Sequence, residues 1–146
     1  MAKKYFTGIR NSYIFEDAGG MRDQLEQAIL QELQYKQYPY RAAIQQIKAG
    51  GLFFGTKEQC VVIQLDKDTQ IAISNTTVGT YLYVEVYLMS NGNGSRSLFD
   101  NVFKEQKRNA VFAAAVEATE SAFMRLRLKQ CNSGYKRDRD EFNEED

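Results

Sequence analysis

The residues best placed to do chemistry are a glycine-rich loop, a row of tyrosines and a few scattered carboxylates. The loop is Asn91-Gly92-Asn93-Gly94-Ser95-Arg96-Ser97. It lies between an expected strand and an expected helix, the order in which backbone N–H groups and a helix dipole can hold an anion. Gly92, Gly94, Ser95, Arg96 and Ser97 are therefore candidate anion contacts, with Arg96 adding a charge-assisted donor. Ser97 stands where G-x-G-x-x-G requires its third glycine, and the chain has no Gly-Lys-Ser/Thr string for a P-loop. The strand before the loop also reads as antiparallel, whereas dinucleotide sites are built on a βαβ unit. A plain flexible connection is the simpler reading.

Tyr81, Tyr83 and Tyr87, with Glu85 among them, alternate against Leu82, Val84, Val86 and Leu88. In a strand this period of two puts the aliphatic residues on one face and the tyrosines on the other. Tyrosine combines a large contact area with a polar tip, so Tyr81, Tyr83, Glu85 and Tyr87 are candidates for an interface or a pocket. The competing reading is that another element of the same domain covers them. Tyr35, Tyr38 and Tyr40 around Pro39 raise the aromatic density elsewhere. Residues Ala110–Val116 are apolar around most of a helical circumference, which adds Val111 and Phe112 as candidate contacts.

The remaining chemistry is sparse. The chain has no histidine, which removes the usual general base near neutral pH and the commonest metal ligand. Asp66, Asp68 and Thr69 could offer oxygens to a hard cation, but a calcium loop needs six to eight, and a tight turn explains them. Glu117 and Glu120 stand three apart on a helical stretch without the second carboxylate pair of a di-metal centre. Cys60 and Cys131 have no CxxC partner and no obvious source of a lowered thiol pKa, so they read as inert thiols in a reducing compartment. Lys104, Lys107 and Arg108 are interrupted by Glu105 and lack a stacking platform for bases. No metal and no cofactor is expected.

Length and composition bound what can position these groups. The 146 residues are 43% hydrophobic and 26% charged, ordinary for one globular domain. Nineteen Lys and Arg offset nineteen Asp and Glu, so no net field attracts nucleic acid or anionic lipid. The longest apolar run, Ala110–Val116, is far short of the ~20 residues of a membrane span, and no export signal is visible. The expectation is a cytoplasmic protein with one domain over 1–132. The acidic segment 133–146, with three basic and six acidic residues, reads as a disordered tail.

The elements follow from periodicity. Residues 4–15, rich in aromatic and β-branched types, suggest one strand or two short ones. Leu25, Ile29 and Leu33 recur every four residues and predict a helix over about 20–35 that stops before Pro39. Ala43, Ile44 and Ile47 suggest a second, shorter helix ending at Gly50-Gly51. Alternation from residue 52 to Ser90 predicts an antiparallel meander of about four strands. Ser97 and Asp100 form a capping box for one long helix running through Cys131 and packed on the sheet.

This order, strand, two helices, meander, long C-terminal helix, resembles the helix-grip arrangement of the Bet v 1 and START-like families. The resemblance implies apolar small-molecule binding between sheet and helix. The leading expectation is a non-enzymatic binding or interaction module. It would self-associate, or meet a protein partner, through the tyrosine face or the Ala-rich helix. The alternative is a small apolar-ligand binder with a cavity lined by Leu82, Val84, Val86, Phe112, Val116 and Phe123. An enzyme using carboxylates and tyrosines near the loop is a third reading.

Overall fold

The fold was obtained as a computed structural model, which describes residues 5–48, 57–90 and 98–131. The chain runs β1 (Tyr5–Glu16), α1 (Arg22–Tyr35), β2 (Ala42–Lys48), β3 (Lys57–Asp66), β4 (Thr69–Val78), β5 (Tyr81–Ser90), α2 (Leu98–Arg125) and β6 (Lys129–Gln130). The strands form one antiparallel sheet in the order β2-β3-β4-β5-β1-β6. It is an α+β protein with both helices on one face of the sheet.

Cross-strand register shows why. Ile73 lies opposite both Val61 and Val86, Ile71 opposite Ile63 and Leu88, and Tyr13 opposite Val84, so these side chains share a face. All are buried. They form one cluster with Leu25, Ala28, Ile29 and Leu33 of α1 and Phe112, Ala115, Ala118, Ala122 and Phe123 of α2. Phe123 meets Tyr13 and Phe15 edge-to-face at 4.8 and 4.6 Å between ring centres, joining α2 to β1. Across the helix pair, Arg125 binds Glu32, and Lys36 Nζ lies 3.4 Å from a Glu117 oxygen.

Three expectations about the architecture are corrected. Residues 42–48 form a strand, not a second helix. Ala42 and Ile44 pair with Ile63 and Val61 on the helix-bearing face, so burial beside β3 outweighs the helical spacing of Ile44 and Ile47. One helix therefore separates β1 from β2, unlike the element order that suggested a helix grip. The C-terminal helix does not reach Cys131. Arg127 adopts φ +58°, Arg127 N–H bonds Met124 O at 3.1 Å and Leu128 N–H bonds Phe123 O at 3.0 Å, the paired bonds of a Schellman cap. Finally, that helix is not the last element: β6 follows, Lys129 and Gln130 pairing with Glu16 and Phe15, and makes a sixth strand.

The same cap ends α1. Gln37 takes φ +56°, its N–H bonding Gln34 O at 3.0 Å while Tyr38 N–H bonds Leu33 O at 2.9 Å. The β4–β5 hairpin turns on Gly79 and Thr80, with Gly79 at φ +61° in the first central position, where glycine is favoured. Gly19 packs against that turn so closely that a Cβ there would sit 2.3 Å from Gly79 O. The expected cap at Gly50-Gly51 lies outside the described residues, as does 133–146. Among the described residues no helix is long and apolar enough to cross a membrane.

Candidate functional site

The sheet face turned away from the helices is the first candidate. Alternation along β5 sends Leu82, Val84, Val86 and Leu88 into the core and leaves Tyr83, Glu85, Tyr87 and Met89 half-buried on the other side. Their cross-strand neighbours extend the surface. Val78 lies opposite Tyr81, Ile14 opposite Tyr83, Ser12 opposite Glu85, and Arg10 opposite Tyr87. Val78 and Tyr81, at the hairpin end, are 60% and 43% exposed. These are large apolar groups in water on a face that carries no described helix.

Glu85 in the middle of the tyrosines does not stand alone. Its Oε2 accepts from Arg10 Nη1 at 3.1 Å and from the Ser12 hydroxyl at 3.3 Å. The pair is half exposed on the arginine side, so it organises the surface more than it stabilises the fold. It also neutralises the carboxylate that stands between Tyr83 and Tyr87. Toward β3 the same face is buried: Cys60, Val62 and Ala72 are inaccessible, although they lie outside the main core cluster.

The second candidate lies where α1, the following loop and β2 meet. Tyr38 and Tyr40 contact edge-to-face at 5.8 Å. The Tyr38 hydroxyl donates to Val111 O of α2 at 2.9 Å. Burial, and after it the neighbouring Tyr40, push the Tyr38 phenol well above its ordinary value of 10.0. With Leu30, Leu33, Gln34 and Ala42 the two rings line a recess of about 400 Å³. On the other side of Tyr40 a smaller recess of about 160 Å³ is bounded by Leu65, Asp66, Lys107, Arg108 and Val111.

The residues singled out in the sequence are thus not all brought together. Tyr81, Tyr83, Glu85 and Tyr87 share one surface. Val111 and Phe112 are on α2, across the sheet from them; Phe112 is in the core and Val111 is partly buried. The helix turns Ala110, Ala113, Ala114 and Met124 outward instead. Tyr38 and Tyr40 do not meet the β5 tyrosines. Gly92, Gly94, Ser95, Arg96 and Ser97 lie outside the described residues. Leu82, Val84, Val86, Phe112 and Phe123, expected around a cavity, pack in the core cluster, with Val116 against it.

The minor candidates are engaged locally. Asp66 Oδ1 accepts from Asp68 N–H at 2.8 Å across the β3–β4 turn. Glu120 accepts from the Tyr13 hydroxyl at 2.7 Å, and Glu117 faces Lys36. Neither Cys60, which is buried, nor Cys131, which is partly buried, is in a disulfide among the described residues. No group of three potential metal ligands occurs among the described residues. Sequence reading missed Ile14, Val78, Arg10 and Ser12 as parts of the tyrosine surface, because only register discloses cross-strand neighbours. Val78 carried a signal in its place directly before a turn glycine.

No protein-family model and no curated protein matches this sequence. Among solved structures, the open-form crystal structure of the exocytosis-sensitive phosphoprotein pp63/parafusin, a phosphoglucomutase from Paramecium, aligns with 81% of this chain. The identity is 10% and the TM-score 0.39. The aligned part is 21% of that protein, so this chain spans about a fifth of its length, and a likeness this loose carries no argument about fold or function.

Proposed function

We propose that this protein is a non-enzymatic interaction module that self-associates through the sheet face opposite α1 and α2. The observation that carries the reading is the surface of Val78, Tyr81, Tyr83, Ile14 and Tyr87, apolar and aromatic, with Glu85 among them already paired to Arg10. Rigid tyrosines lose little side-chain entropy when they are covered, which suits them to contact surfaces. A two-fold related copy presents the same surface to itself, so one patch suffices for a closed dimer. The net charge of zero adds no long-range repulsion between copies.

The test is a native mass spectrum with sedimentation analysis of the wild type and of the Val78→Lys, Tyr81→Lys double variant. Both positions are exposed at a hairpin end, so the changes leave the core untouched. The expected result is a dimer that the two lysines convert to monomer. A wild-type monomer at high concentration, or a dimer indifferent to the lysines, overturns the proposal. A monomer retaining an apolar small molecule would instead support a ligand-binding role.

A further inference from the structure

We propose that the free edge of β2, together with the recess beside α1, is a strand-addition site for an extended acidic segment of a partner protein carrying one bulky apolar side chain. The inference concerns a different surface from the tyrosine face and stands independently of it.

The backbone supplies the first argument. Gln64 N–H donates to Arg41 O at 3.1 Å, which makes Arg41 and Gln64 a hydrogen-bonded pair of the β2–β3 ladder. In an antiparallel ladder such pairs alternate, so Ala43, Gln45 and Ile47 direct N–H and C=O toward β3 while Ala42, Ile44 and Gln46 direct theirs away. Among the described residues no strand pairs with that outer side and nothing hydrogen-bonds to it. Edge strands are ordinarily protected by charge, proline or a bulge. From Ala42 to Ile47 the chain has no charge and no proline, and its register with β3 is unbroken.

The recess supplies the second. Ala42 lies opposite Ile63 on the helix-bearing face, and the hollow of about 400 Å³ between it, Leu30, Leu33, Gln34, Tyr38 and Tyr40 opens beside this end of β2. A strand added about 4.8 Å outside β2 would point alternate side chains onto that face. The one level with Ala42 would meet the hollow, which is large enough for Phe, Leu or Ile. Main-chain bonds along an edge with a pocket for alternate side chains is a recurrent mode of peptide recognition.

Charge selects the occupant. Between Leu33 and Lys57 the sequence holds Lys36, Arg41, Lys48 and Lys57 and no Asp or Glu. Lys36 is engaged by Glu117 at 3.4 Å and Glu32 at 3.9 Å, but Arg41 is exposed and has no ion pair among the described residues. An acidic peptide meets Arg41 with opposite charge, in a stretch of sequence without carboxylates, and so adds on-rate as well as affinity.

The experiment titrates the full chain into a fluorescein-labelled synthetic peptide in which Glu alternates with Val around one central Phe, read by anisotropy at low salt. Saturable binding is expected. It should weaken at least ~10-fold with Gln46→Pro, which removes an outward N–H and no β2–β3 bond, and measurably with Arg41→Glu. N-methylation of alternate peptide residues should abolish binding with the protein unchanged, which keeps the test decisive if Gln46→Pro misfolds. No binding, or equal binding of the N-methylated peptide or of one with Lys in place of Glu, overturns the proposal. Self-association of the chain alone that Gln46→Pro abolishes would replace the peptide with a second copy. Binding seen only after the acidic residues of 138–146 are neutralised would assign the edge to the chain's own tail.

Discussion

Glu26 offers the sharpest test of how α1 is held on the sheet. Its side chain is buried at 1% exposure between α1 and the strands. One carboxyl oxygen accepts from Gln59 Nε2 of β3 at 2.6 Å and the other from Asn75 Nδ2 of β4 at 3.2 Å. Asn75 is itself fully buried, and its Oδ1 has no partner among the described residues. Glu26→Ala strands the Asn75 amide without an acceptor, a cost of about 1–3 kcal/mol. Gln59 is only partly buried and can turn to water. Loss of the buried stem adds roughly 1–2 kcal/mol of packing. The expected destabilisation is about 3 kcal/mol, which in a chain of this size lowers Tm by roughly 10 °C.

Glu26→Gln separates shape from charge. Its carboxamide keeps an oxygen for Gln59, and if the Asn75 amide turns over, the new NH2 donates to the oxygen that is now unpaired. The turned Asn75 then leaves its own buried NH2 without an acceptor in place of the oxygen, so the variant should lose about 1–2 kcal/mol, less than alanine because the packed stem and the Gln59 bond are kept. Chemical and thermal unfolding followed by far-ultraviolet circular dichroism measures both variants. An alanine variant as stable as wild type refutes the hydrogen-bond accounting. A glutamine variant as damaged as alanine refutes it differently, by showing that the two amides require the carboxylate's charge.

Two further outcomes are expected. Gln37→Gly and Arg127→Gly relieve side chains held at φ +56° and +58° in Schellman caps, and each should stabilise the fold by roughly 0.5–1 kcal/mol, read as a higher urea midpoint with an unchanged slope. Because the Tyr38 phenol is raised in the folded state, the stability it contributes is complete below its ordinary value of 10.0 and declines as pH rises beyond it. The ultraviolet tyrosinate titration of wild type should therefore contain a late component that Tyr38→Phe removes, and a Tyr38→Phe titration identical above pH 10 would contradict this.

What the sequence by itself determined was local. A period of two along 80–90 depends only on strand geometry, so the aliphatic and tyrosine faces of β5 could be separated without knowing their neighbours. The four-residue recurrence of Leu25, Ile29 and Leu33 marked the buried side of α1 for the same reason. The absence of histidine and the balanced charge restricted chemistry before any fold was known.

Tertiary structure decided whatever depends on a partner distant in the chain. Ala42–Lys48 is a strand because β3 offers it a ladder and a core face, and its own spacing could not disclose that. α2 ends at Arg125 because Arg127 takes a left-handed conformation usually given to glycine, so the residue type gave no stop signal. Phe112 became core and Ala113 surface once α2 had chosen the side on which it packs. Glu26 found its partners 33 and 49 positions away. Periodicity is a property of a segment, whereas burial, pairing and an open edge are properties of the assembled sheet.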